Sequence, residues 1–311
     1  SRNIKVKNIT DLSGIENWDI SNVKGIGRMF FGCEKITSLN LSSWDTSNVE
    51  SMSSVFTSCY KLETLNLTDW DLTNIKTDTG GISFMFQECV KLSTLTGINN
   101  WDVSKVDNMV STFSKCRSLT SLNLSSWNTK NVKTMEGMFN NAGGNDNGGP
   151  AIAKLISVGD ISNWDVRKSD SFASMFNSCK KLPTLNLTSW NIKNAYTTNS
   201  MFTDCEKLTS IGNISSWKTQ RTTFNCAWMF SGCSKLNNIG NLSSWKSNIT
   251  KVLNLFNMFS GTSKLTSIGD IGGWDITNIT NIYGIRDMFK NSGVTNPGNL
   301  SRWNVCENKP A

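Results

Sequence analysis

The residues that could do chemistry in this sequence are its cysteines and aspartates, because it contains no histidine. That absence removes the usual general base and the commonest metal ligand. Seven of the nine cysteines stand three residues after a phenylalanine: Cys33, Cys59, Cys89, Cys116, Cys179, Cys205 and Cys233. So regular a place suits a small buried side chain in a core turn, with sulfur packing as a small hydrophobe. Disulfides between neighbouring rungs would have an allowed Cα separation, but parallel side-by-side Cβ vectors suit the bridge badly. Zinc or iron–sulfur binding needs clustered ligands such as C-x₂-C, and no such pair is present. Cys226 and Cys306 lie outside the register.

Six aspartates follow tryptophans: Asp19, Asp45, Asp71, Asp102, Asp165 and Asp275. Such a column could hold calcium. However, Asn128, Asn191, Asn304, Lys218 and Lys246 take the same place, and a cation site would not tolerate lysine. The aspartates therefore read as turn caps, whose short side chains bond their own backbone. The Gly- and Asn-rich stretch 140–153 lacks the Gly-Lys-Ser/Thr ending of a phosphate loop. No nucleophile–base pair, acid/base carboxylate pair or cofactor fingerprint appears. The expectation is a protein that is not an enzyme and that has no cofactor and no metal.

The elements that position these residues are repeats. Eleven of the twelve tryptophans share one register: Trp18, Trp44, Trp70, Trp101, Trp127, Trp164, Trp190, Trp217, Trp245, Trp274 and Trp303. The spacing runs from 26 to 37 residues, and Trp228 is the one off the register. Within a unit, Leu65 and Leu67 alternate with Thr64 and Asn66, which predicts a short half-buried strand. Ser-Ser-Trp-Asp then turns, with the indole folded back into the core and its N–H satisfied by a turn carbonyl. Val49, Met52, Val55 and Phe56 recur at helical spacing, predicting a helical or 3₁₀ turn. One unit alone cannot bury its apolar side, but stacked units can. The predicted fold is a leucine-rich-repeat-like solenoid of about ten repeats, with short parallel strands pairing ~4.8 Å apart.

The whole chain, 1–311, is expected to form a single solenoid. Residues 1–17 are read as a cap or a joint, 140–153 as a loop insertion and 304–311 as a tail. The segment 77–81 reads as a smaller excursion, and the Ile-Gly-Asn-Ile strands from Ile211 onward as bulged at the glycine.

Charge narrows the partners. The formal net charge is +7, but Lys and Arg occur mostly singly, with no basic block. That pattern argues against nucleic acid. No apolar run reaches the ~18 residues of a membrane span.

Outward strand positions are the candidate binding face. Ser38, Thr64, Thr94, Ser121, Thr184, Ser210 and Ser267 form one file, and Asn40, Asn66, Asn123 and Asn186 a second. Evenly spaced hydroxyls and amides on a flat sheet suit a glycan or an extended polymer. Ten Asn-x-Ser/Thr sequons are also present, at Asn8, Asn40, Asn66, Asn123, Asn186, Asn213, Asn241, Asn248, Asn278 and Asn299. In a secreted eukaryotic protein these would be glycosylation acceptors; in a bacterial one they would be incidental.

Met-Phe-x-x-Cys-x-x-Leu-x-x-Leu at 175–185 and Trp-Asp-x-Ser-Asn-Val at 44–49 resemble the leucine-rich-repeat variant of BspA-like bacterial surface proteins. More closely, they resemble the repeat domain of unknown function of mycoplasma lipoprotein-associated proteins. The resemblance covers about residues 12–305. Ala142, Thr262 and Ser292 depart from it, standing where the pattern has cysteine. It implies an extracellular or cell-surface module, linked to adhesion, with a protein or carbohydrate partner. The alternative is a structural subunit that self-associates through the solenoid ends into filaments or a surface layer.

Overall fold

The computed structural model describes residues 9–141, 152–249, 252–280 and 282–303. Outside the described residues lie Asn8, Ala142, Asn304, Cys306, part of the 1–17 segment, most of the 140–153 insertion and the 304–311 tail. Contacts gather the chain into two compact units, residues 1–159 and 160–311.

Each unit is a leucine-rich-repeat-like stack of rungs. In the first, β1 (Ser38–Asn40), β2 (Thr64–Asn66) and β3 (Thr94–Thr96) pair in parallel in that order. Leu39, Leu65 and Leu95 stand opposite one another. A single bridge, Ser121–Ser157, continues the pattern. In the second unit, bridges link Thr184, Ser210 and Asn238. A separate parallel ladder runs through Ser171, Thr197 and Asn225, where β4 (Phe224–Asn225) meets β5 (Val252–Asn254).

The core is a column of like on like. Trp44, Trp70, Trp101 and Trp127 stack with centroids 6.2–6.5 Å apart and planes within 14°. Phe30, Phe56, Phe86, Phe113 and Phe139 stack beside them at 5.3–5.8 Å. In the second unit Phe176, Phe202, Phe230, Phe259 and Phe289 repeat this at 5.7–5.8 Å. The offset-parallel arrangement is one that aromatic quadrupoles favour.

Each polar letter of the repeat has a bonding task. The indole Nε1 of Trp44 donates to the Ile15 carbonyl of the preceding rung at 2.9 Å, and Trp70, Trp127 and Trp190 do the same at 2.8–2.9 Å. Asn48, Asn131 and Asn194 donate through Nδ2 to the rung before them, at 2.7–2.8 Å. Ser43 Oγ donates to the Glu16 carbonyl at 2.5 Å. At Ser43–Asn48, Ser126–Asn131 and Ser189–Asn194 the Ser-Trp-x-x-x-Asn motif thus bonds a rung to its predecessor through three side chains, whereas the buried Trp101 Nε1 has no hydrogen-bond partner.

The arc from Val49 to Phe56 is not helical. 3₁₀ turns precede tryptophans at Ile15–Asn17, Ile98–Asn100, Leu242–Ser244 and Leu300–Arg302, and one, Ile282–Gly284, falls in the corresponding arc of a later rung. In the arc, the N–H groups of Ser54, Phe56 and Ser58 donate to Ser83, Met85 and Gln87 of the next rung at 2.8–2.9 Å. Those of Thr57 and Cys59 close turns onto Ser54 and Phe56. The apolar spacing imitates a helix, yet alternate N–H groups leave the rung. Left-handed residues allow this, with φ 59° at Ser54 and 62° at Ser58. Each left-handed residue costs about 1–2 kcal/mol, which the ladder bonds offset at about 1 kcal/mol apiece.

The glycines expected to mark bulged strands are left-handed too. Gly240 has φ 86°, and a Cβ there would stand 2.0 Å from Asn213 Oδ1. Two opposite shifts in urea melting follow. Ser54→Gly relieves strain and loses no side-chain bond, so it should raise stability by about 0.5–1 kcal/mol after the glycine's own entropy is subtracted. Gly240→Ala should lower it by about 1–3 kcal/mol. If both variants melted with the wild type, the left-handed arc would be wrong.

Candidate binding face

The strand ladder sets the predicted hydroxyl file in place. Ser38, Thr64 and Thr94 are exposed and directly opposite one another. Ser121 and Thr184 are exposed as well, as is Ser267, and Ser210 is half-buried opposite Thr184. The pairing adds two residues that sequence reasoning missed, Ser157 opposite Ser121 and Asn238 opposite Ser210. Counting six or seven residues back from each tryptophan would have found both. Among the described residues, the hydroxyls of Ser38, Thr64, Thr94, Ser121 and Thr184 make no hydrogen bond within the chain. Ser210 Oγ instead accepts from Gly212 N at 3.1 Å.

The asparagine file behaves differently. Asn66 Nδ2 donates to Asn40 Oδ1 at 2.9 Å. Asn66 Oδ1 accepts from Thr68 N at 3.1 Å and from Thr96 Oγ1 at 2.8 Å. Asn123 and Asn186 likewise cap their own turns, at 3.3 Å. These amides spend their bonding capacity on the turn and on the neighbouring rung.

The same geometry explains the sequons. Asn40, Asn66, Asn123, Asn186, Asn213, Asn241 and Asn299 each accept the backbone N–H two residues on. Asn-x-Ser/Thr is here the signature of a turn. Asn248 donates to the Ser215 carbonyl at 3.4 Å, and Asn278 is half-buried.

The aspartates after tryptophan are turn caps, as expected. Ser21, Ser47, Ser104 and Thr277 donate their N–H to Asp19, Asp45, Asp102 and Asp275 at 2.8–3.0 Å. Bonds from the Ser21 and Ser47 side chains and backbones hold the Asp19 and Asp45 carboxyls below the usual carboxylate range.

Thiols at the register are buried and form no disulfide: Cys33, Cys59, Cys89, Cys116, Cys179, Cys205 and Cys233. The Sγ atoms of Cys59, Cys89, Cys116, Cys205 and Cys233 donate to the phenylalanine carbonyl of the preceding rung at 3.0–3.1 Å. Burial pushes the Cys33 thiol up to about 12 and raises Cys116 and Cys226 as well. The neighbouring Cys89 thiol and burial together raise Cys59. Where cysteine is missing, Thr262 Oγ1 donates to the Phe259 carbonyl at 2.7 Å and meets Ser292 Oγ at 2.9 Å. No group of three or more potential metal ligands occurs among the described residues.

Against known proteins, the family described as Mycoplasma protein of unknown function, DUF285, matches residues 3–94, 78–148, 154–245 and 209–310. The chain belongs to this family. The four matches, overlapping in two pairs, fall on successive stretches of the repeat, and they bear out the resemblance read from the Met-Phe-x-x-Cys and Trp-Asp-x-Ser-Asn motifs. No curated protein matches the chain. Among solved structures, it is similar to a leucine-rich-repeat protein of T. pallidum at 16% identity, covering 70% of this chain and 72% of that one, TM-score 0.32. A leucine-rich cell-surface protein of Faecalibacterium prausnitzii is 15% identical over 92% of this chain and 86% of that one, TM-score 0.34. An internalin of Listeria monocytogenes is 15% identical over 89% and 69%, TM-score 0.25.

The thiol column gives a check on the core beneath this face. At pH 8 the native protein should resist a thiol reagent such as DTNB at all seven register positions, and label fully once guanidinium unfolds it. The fold favours the neutral thiol. The Cys33 contribution is therefore whole below the ordinary thiol pKa of ~8.5 and is lost as pH rises through about 12. Melting temperature should accordingly fall over that alkaline window. Fast native labelling of Cys59 or Cys89 would show that the column is not packed.

Proposed function

We propose that this chain is a cell-surface binding module that engages a protein or carbohydrate through its strand face. The observation that carries the reading is the hydroxyl file of Ser38, Thr64 and Thr94. These groups are exposed, held at strand spacing and unspent on bonds within the chain. Bare donor–acceptor groups at one-rung intervals match a ligand that is itself extended and repetitive.

Rigidity supports the reading. Leu39 and Leu65 anchor the strands from beneath, over the stacked rings. A face already ordered loses little side-chain freedom on binding. The surface location rests on the family resemblance. No helix among the described residues is long and apolar enough to cross a membrane.

The test is a panel of glycans and extracellular-matrix proteins, probed with the wild type and with Thr64→Lys/Thr94→Lys. Both positions are exposed, so the double variant should melt like the parent. Binding should weaken at least ten-fold, on the order of 1.4 kcal/mol. A ligand that bound both proteins equally would remove the strand face from consideration.

A further inference from the structure

One register differs in its exposed side chains between the two units. Six residues before a ladder phenylalanine, the first unit places Lys24, Glu50, Gly80, Asp107 and Lys133. Ion pairs tie the charged ones together. Glu50 meets Lys24 at 3.5 Å and Lys76 at 2.5 Å, and Lys133 meets Asp107 at 3.1 Å and Asp78 at 2.9 Å. At the same place the second unit has Asp170, Tyr196, Phe224, Leu253 and Tyr283; Phe224 is buried, whereas Tyr196, Leu253 and Tyr283 are 45%, 46% and 65% exposed.

The apolar set is held outward by construction. Phe224 pairs with Val252 but Asn225 with Asn254, and that register shift leaves Leu253 as the extra residue. Trp228, off the tryptophan register, sits at φ 60° with its ring edge-on to Phe256 at 5.1 Å. Leu253, Phe256, Tyr283 and Arg286 line one open hollow of about 510 Å³. Arg221 reaches the rung of Tyr196, with Nε donating to the Asn194 carbonyl at 2.7 Å.

Charge divides in the same way. Residues 1–159 contain fifteen Lys and Arg against fifteen Asp and Glu, whereas 160–311 contain sixteen against nine. The entire net charge of +7 therefore belongs to the unit that bears Tyr196, Leu253 and Tyr283.

Grouped exposed apolar side chains mark interaction surfaces, and Trp, Tyr and Arg are the side chains that most often anchor protein interfaces. A basic surround steers and orients an anionic partner. Ile282 and Leu253 lie among the rings, and branched aliphatic groups suit a protein's apolar side chains better than the flat C–H face of a sugar. We infer that this face of residues 160–311 docks an acidic protein segment. Its apolar side chains cover Tyr196, Leu253 and Tyr283, and its carboxylates face Arg221 and Arg286, the latter 3.4 Å from the chain's own Asp287 carboxylate. The site lies off the strand face and stands independently of the function proposed above.

The experiment is selection of a random twelve-residue phage-displayed peptide library on the full chain, followed by affinity measurement of synthetic winners. Winners should combine Asp or Glu with aromatic or aliphatic residues, and should weaken several-fold between 50 and 300 mM salt. Tyr283→Ser and Leu253→Ser should each cut affinity at least ten-fold, while Thr64→Lys/Thr94→Lys changes it less than two-fold. Melting curves of the variants exclude unfolding, and Arg286→Gln supplies a second variant that leaves the apolar side chains intact. No enrichment, winners without acidic residues, or winners indifferent to Tyr283→Ser and Arg286→Gln would overturn the inference. So would sulfated or sialylated glycans binding in place of peptides and being lost in the same variants.

Discussion

In an in-register stack, every side chain has its own counterpart as a neighbour, about one strand spacing away. This constraint selects residue types before any question of function arises. Aromatic rings gain from meeting copies of themselves, and Phe30 to Phe139 does so without interruption. Amides can donate to one neighbour and accept from another, as Asn66 does between Asn40 and Thr96. Thiols and hydroxyls donate to the carbonyl of the rung before them. Like charges lose. Aspartate after tryptophan is the instructive exception. Asp19 does repel Asp45, but hydrogen bonds within the Asp45 turn outweigh that repulsion and its carboxyl ends below its ordinary pKa. Local capping, in a position open to water, is what makes a repeated acid tolerable.

Self-neighbouring also decides what was legible in the sequence. Tryptophan, cysteine and strand leucines declare their registers because substitution at any one of them disturbs two interfaces. The hydroxyl file could be read for the same reason, since strand alternation fixes which side of the sheet a residue faces. The arc was read as helical because Val49, Met52, Val55 and Phe56 satisfy a helical period equally well. What distinguishes the two is backbone handedness, which leaves little trace when the left-handed residue is serine. Gly32, Gly232 and Gly261 occupy the place of Ser58 in other rungs and are left-handed there, so the signal existed only across repeats.

The candidate face shows a further limit of sequence. Two polar files on one sheet look equivalent when written out, yet they differ in what they have left to give. Hydroxyls on the strand, such as Thr64, find no acceptor within reach. Amides two residues later sit where the chain turns, and the turn consumes them. Chemistry read from residue type counts donors and acceptors, but binding depends on those that remain unspent after folding.

Ion pairs and rings at a single register carry this reasoning into the second unit. Charges on neighbouring rungs can quiet one another, as Lys24, Glu50 and Lys76 do. Each charge then finds its opposite on the next rung, and the surface offers little to an outside partner. Tyr196, Leu253 and Tyr283 abandon that device, and they do so where positive charge is left unbalanced. Exposed rings carry a hydration cost that nothing in the stacking requires, since the buried columns already hold each rung to the next. A departure from this charge pairing that coincides with the unit's charge excess is what the proposed acidic partner would meet.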